Sequence, residues 1–312
     1  MFDEYAITPD VFDEGIYAHP EVHKQVMNRL YEELVKNGFV RDLQNGYWGL
    51  HISESLPKLS TLTQKLLLQL FKTKRIIIDN YSLPSEPSTT EEWTNTALGS
   101  HNQSKLTGII TGTLKCTNNP LIAQSNNLDD AAWWSNRTHK ITVPRKAQAL
   151  ANAYKTLLRQ STSLLLIDPF IDPSIDRYFN SLKVLLNETW HNEKLSLIEL
   201  HRVSITKFDD KLGRKVDRKL PAAEWEHKFQ RLSQFLTNNN QSATVYIWEK
   251  SRKDHDRYLI SDLAATSLTN GFDYGESDVT ITTIGREERN KVERRYHPNF
   301  RPPQYTFRIG KC

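Results

Sequence analysis

An α/β fold is the class this sequence predicts: a mixed sheet flanked by helices, with an N-terminal helical and mixed region ahead of it. Three observations predict it. Leu164-Leu165-Leu166-Ile167 is an unbroken apolar run of the kind parallel sheets bury on both faces. Amphipathic helical patterns alternate with such runs, the strongest carrying Trp225, Phe229, Leu232, Phe235 and Leu236. A further strand, Ala243-Thr244-Val245-Tyr246-Ile247-Trp248, leads through a polar turn to a second apolar start at Tyr258-Leu259-Ile260.

Taken in order, Val22, Val26, Leu30, Leu34 and Val35 recur at helical spacing, and Asn37-Gly38 stops that helix. His23 within it reads as a solvated residue. A second helix is expected over 59–72, with Leu62, Leu66, Leu67, Leu70 and Phe71 as its stripe, before a short strand at Ile76-Ile77-Ile78-Asp79. A Pro/Ser/Thr-rich connector follows at 82–90. Residues 91–135 show little periodicity; Trp93, Trp133 and Trp134 read as packing groups, and 106–114 alternates weakly around Gly108 and Gly112.

Pro144-Arg145 predicts a helix start, with Ala149, Ala153, Tyr154, Leu157 and Leu158 facing inward. Asp168-Pro169-Phe170-Ile171-Asp172-Pro173 is the loop closing the apolar strand, and a helix bearing Ile175, Tyr178, Phe179 and Leu182 follows. Strands are expected at 195–200 and 279–284, with 207–219 looping out and 286–311 forming an Arg- and aromatic-rich tail. The expected division is a region of unassigned role at 1–140 and an α/β domain at 141–312.

The 312 residues suffice for a sizeable core, and a net charge of +4 gives a mild basic excess that permits nucleic-acid or phosphate partners. Two cysteines, Cys116 and Cys312, make no disulfide framework, and no Cys/His cluster has zinc-ligand spacing. Met1-Phe2-Asp3-Glu4-Tyr5 lacks the basic and apolar regions of a signal peptide, and no apolar run approaches ~18 residues. The expectation is a cytoplasmic protein without a membrane partner.

The chemistry-bearing stretch is Asp254-His255-Asp256-Arg257-Tyr258-Leu259-Ile260-Ser261-Asp262. Read as the start of a strand, it projects His255 and Arg257 from one face and Asp256 from the other. An imidazole beside a guanidinium suits a phosphate: the ring attacks or protonates, and the fork holds two oxygens. The spacing resembles the His-x-Lys-x-x-x-x-Asp signature of the phospholipase D superfamily, with arginine in place of lysine. That family follows its motif with Gly-Ser-x-Asn; here Asn270-Gly271-Phe272-Asp273 and then Glu276 occupy the region, with a longer gap. The resemblance covers residues 160–300 and leaves the N-terminal region unexplained.

What the resemblance implies is metal-independent phosphodiester chemistry with no cofactor. His255 would be nucleophile or general acid, forming a phosphohistidine, and Arg257 the phosphate clamp. Asp262 is the third motif member, and Asp273 and Glu276 are candidates to orient His255. Asp168 and Asp172 admit a paired-carboxylate metal site, though Asp-Pro turns are the plainer reading. No second His-x-Arg or His-x-Lys pair occurs, so a composite site implies a homodimer. Arg286, Arg289, Arg294, Arg295 and Arg301, interleaved with aromatics, read either as a nucleic-acid track or as a solvated charged surface.

Two functions follow. One is a homodimeric nuclease, by analogy a prokaryotic defence or accessory enzyme, with the N-terminal region available to a partner protein. The alternative is a non-catalytic nucleic-acid-binding or regulatory module that keeps the phosphate pocket.

Overall fold

The computed structural model describes residues 2–113, 118–190, 195–209, 214–218, 220–249 and 255–311, without the side chains of 205–209 and 214–218. Cys116, Cys312 and the 250–254 segment ahead of His255 thus lie outside the described residues. Contacts divide the chain into two units, Met1–Thr138 and His139–Cys312.

The first unit runs β1 (Asp3–Ile7), α1 (Pro20–Lys36), β2 (Gly38–Asp42), α2 (Tyr47–Ser55), α3 (Thr61–Lys72) and β3 (Ile76–Ile78). It continues through α4 (Thr90–Gln103), β4 (Gly108–Thr111), β5 (Ile122–Gln124) and the single turn α5 (Ala132–Ser135). The strands form a wholly parallel sheet in the order β3-β2-β1-β4-β5. The third strand and the helices α1 and α3 were expected from the sequence, and β4 forms within 106–114, where weak alternation allowed a strand or a loop. The other strands are short, and crossovers pair them at long range, so local alternation carries little signal.

In such a sheet ligands settle where the strand order reverses, here between β1 and β4. The chain's own side chains fill that place. Asp10 accepts hydrogen bonds from the hydroxyls of Thr8, Thr90 and Thr113 and from the Thr113 amide. Gly112 is pressed so close that a Cβ there would fall 2.5 Å from Ile16 and 2.7 Å from Asp10. Burial alone would raise the Asp10 carboxyl, but these donors hold it below the usual range.

His23 is not a solvated residue. It is buried, with Nε2 3.2 Å from the Thr63 hydroxyl, because α1 packs against α3 on that side. Trp93 and Trp134 belong to the core, and Trp133 packs against it.

The second unit begins with β6 (Lys140–Pro144), α6 (Ala147–Gln160), β7 (Ser163–Ile167), α7 (Asp176–Asn187) and β8 (Leu197–Val203). Then come β9 (Ile205–Asp209), β10 (Arg214–Arg218), α8 (Ala222–Asn238), β11 (Ser242–Trp248) and β12 (Arg257–Ser261). It closes with β13 (Ala265–Leu268), β14 (Asp278–Thr283), α9 (Arg286–Arg295) and β15 (Tyr305–Gly310). Eight strands form one mixed sheet, β15-β11-β8-β7-β12-β13-β14-β6, parallel at its centre across β7, β8 and β11. The molecule is thus mixed α/β, with helices flanking both sheets.

Three local expectations are corrected. Pro144 ends a strand opposite Asp278 instead of opening a helix, which starts at Ala147. The stretch expected to loop out carries an antiparallel ribbon, β9 against β10. The tail is a helix and an edge strand: α9 lays Val292 and Tyr296 into the cluster of Ile167, Trp248, Tyr258 and Ile260, and β15 pairs with β11. Some of its charges pair with one another, Arg289 with Glu293 and Lys291 with Glu287. That agrees with a solvated charged surface.

Among the described residues of this unit His201 is the buried histidine. Its Nδ1 accepts from the Trp248 indole at 3.1 Å while Nε2 meets Glu199 at 3.1 Å. Burial lowers its pKa despite that carboxylate, so the neutral ring is a packing element stacked on Tyr246 and Trp248. Among the described residues no helix is long and apolar enough to cross a membrane.

Candidate functional site

The loop after β7 builds the floor of a pocket. Asp168 closes one turn by accepting from the Phe170 amide (2.9 Å), and Asp172 closes the next by accepting from the Ser174 amide (3.2 Å). Both are the Asx turns that Asp-Pro sequences favour. Asp168 reaches on to the Phe272 amide at 3.1 Å, tying this loop to the one after β13. Gly271 makes that approach possible: a Cβ there would stand 2.5 Å from Asp168 and 2.8 Å from Asp273.

Guanidinium groups surround these carboxylates. Arg145 donates to the Asp273 carboxylate and, through Nε, to its carbonyl at 3.1 Å. Arg177 Nε lies 3.2 Å from the other Asp273 oxygen. Arg202, at the end of β8, donates to the carbonyls of Phe170 and Ile171, and its guanidinium sits 4.9 Å over Trp225. Arg257 opens β12 with Nε 3.6 Å from Asp168 and its guanidinium 5.3 Å over Phe170. The four arginines line one cavity of about 340 Å³, with Phe170, Ile175 and Tyr178 as its apolar wall.

Burial dominates the electrostatics of Asp168. It is wholly buried, and desolvation raises its pKa against the pull of the two amides and Arg257. Asp172 goes the other way: burial is outweighed by Lys228 at 2.8 Å, by Ser174 and by Arg202 at 3.7 Å, and its carboxyl is held low. A depressed carboxyl stabilises the fold above its unfolded value, near pH 4, and the gain is lost as pH falls through the folded value. Asp172→Asn is therefore expected to flatten the acid limb of a plot of melting temperature against pH. An unchanged slope below pH ~4 would assign that limb to other carboxylates.

The motif residues do not converge. Arg257 and Asp273 both line the pocket, and Asp168 lies beneath it. His255 precedes β12 in an exposed turn, so the alternating-face argument that paired it with Arg257 does not reach it. Its carbonyl accepts from Arg257 Nη1 at 3.3 Å. Asp262 stands beyond the far end of β12 and accepts from the Thr162 amide (2.8 Å), the Thr162 hydroxyl (2.7 Å) and the Ser163 amide (3.3 Å). It ties the β12–β13 turn to the start of β7. Glu276 is exposed, and the partners of Asp273 are arginines. Asp168 and Asp172 hold amides and cations, and no group of three or more ligating side chains fit for a metal occurs among the described residues.

A scan against protein-family models finds no match to this chain. A search of curated proteins finds none either.

Sequence reasoning passed over Arg145, Arg177, Arg202 and Lys228. Arg202 did leave a signal: it follows Ile198 and Leu200 at strand period on the buried face, where a charge needs a reason. Arg145 and Arg177 left none, since one precedes a helix and the other lies in a helix's first turn, positions where arginine is ordinary.

Proposed function

We propose that the second unit recognises a phosphoryl group in the arginine-lined pocket. One observation carries this reading: four guanidinium groups converge there, and the buried Nε atoms of Arg202 and Arg257 have no hydrogen-bond partner among the described residues. Buried donors without acceptors are costly, and a phosphate offers the acceptor oxygens they lack. The direct test is calorimetric titration of the full chain with inorganic phosphate, phenyl phosphate and methyl phenyl phosphate. Heat of binding from any of them, abolished by Arg202→Met, is the expected result; silence from all three would reject the pocket as a phosphoryl site.

Phosphodiester hydrolysis of the phospholipase D type is the second reading. It is favoured by the exposure of His255, two residues before the pocket residue Arg257, on a turn that could meet a second copy. A homodimeric nuclease of this kind cleaves in the presence of EDTA, and His255→Ala is expected to abolish that cleavage. Cleavage that needs a metal, or that survives in the His255→Ala variant, would remove the reading and leave recognition without turnover.

A further inference from the structure

Resting on the phosphoryl-recognition reading, we infer that the pocket selects a terminal phosphate monoester, a dianion, over the singly charged diester inside a polymer. Charge is the first ground. Among the described residues the connected network holds five cations, Arg145, Arg177, Arg202, Arg257 and Lys228, against the three carboxylates Asp168, Asp172 and Asp273. Five against three leaves an excess of two positive charges, the complement of one phosphate dianion. The neighbouring Arg231 adds nothing, since Asp176 pairs with it at 2.7 Å.

Shape is the second. A strand of nucleic acid passes its phosphates along a groove, with chain leaving on both sides. Here the described residues close the floor beneath the opening: Asp168, Asp273 and Arg202 are 0%, 1% and 5% exposed, Asp168 and Arg202 tied to the loops after β7 and β13 and Asp273 held by Arg145 and Arg177. A volume of about 340 Å³ is at the small end for ligand sites, and fits one phosphoryl head with the start of its ester group. Around the mouth Phe170 and Ile175 stand 48% and 43% exposed, apolar groups placed to cover the carbon side of such an ester.

The test compares phenyl phosphate with methyl phenyl phosphate at pH ~8, where the monoester is fully dianionic and the diester keeps one charge. Calorimetry of the full chain should show the monoester bound about tenfold more tightly or better, the worth of one added charge-assisted contact. Equal affinities would overturn the monoester inference while sparing phosphoryl recognition, and absence of binding by both would remove recognition itself. Arg177→Gln changes a half-exposed rim residue and should narrow the preference, while Arg145 continues to pair with Asp273 and keeps the variant folded; a preference left intact in the folded variant would overturn the charge argument. Competition then identifies the source of the monoester, a 5′-phosphorylated oligonucleotide or phosphatidylcholine vesicles carrying phosphatidic acid. Displacement by either supports the inference. An oligonucleotide without its 5′-phosphate that competes as well as the phosphorylated one would overturn it.

Discussion

Asp273→Ala is expected to lower the stability of the second unit by about 3 kcal/mol, the low end for breaking a buried ion pair. Asp273 is 1% exposed and sits between Arg145 and Arg177. Removing it leaves Arg145 with only the residue 273 carbonyl and sets two guanidinium groups against each other. The figure is placed low because Arg177 is half exposed and water screens its share. Urea unfolding followed by tryptophan fluorescence reads the effect, since Trp225 and Trp248 are buried in this unit. Asp273→Asn keeps the shape and loses the charge, so it separates repulsion from lost packing. A drop below about 1 kcal/mol in both variants would mean that the pair contributes little beyond what solvent supplies.

Arg257→Ala is expected to weaken phosphoryl binding by about tenfold or more, because a charge-assisted hydrogen bond contributes roughly 1.5–3 kcal/mol. Arg257 leans over Phe170 with a buried Nε that makes no hydrogen bond among the described residues and lies 3.6 Å from the Asp168 carboxylate, so the truncation removes a donor for the ligand together with a cation beside Asp168. Asp168 beneath it keeps both of its amide partners, and the pocket floor should stay in place. Arg257→Lys retains the charge without the fork and should fall between the two. If the alanine variant bound phenyl phosphate as tightly as the parent chain, the site would have to be sought elsewhere.

Much of the second unit was legible locally. Continuous apolar runs such as Leu164–Ile167 and helical stripes such as Trp225, Phe229 and Leu232 carry their own period, and period is what selects strand or helix. The turn chemistry of Asp168 and Asp172 was legible for the same reason, because an Asx turn closes within two residues. The motif was legible only in part. Arg257 and Asp273 were named from spacing and do line the pocket, but spacing also named Asp262, which the strand carries to its opposite end.

The parallel sheet of the first unit escaped detection because its strands are short and each partner lies a crossover away. Tertiary structure alone decided the rest of the site. Arg145, Arg177 and Arg202 come from β6's end, α7's first turn and the end of β8, and nothing local distinguishes the first two from surface arginines. Residues of one helix or strand constrain one another through a repeat of a few positions, which sequence displays directly. A pocket is instead a sum of charges brought together by sheet order, and its excess of cations exists only once β7, β8 and β12 lie side by side.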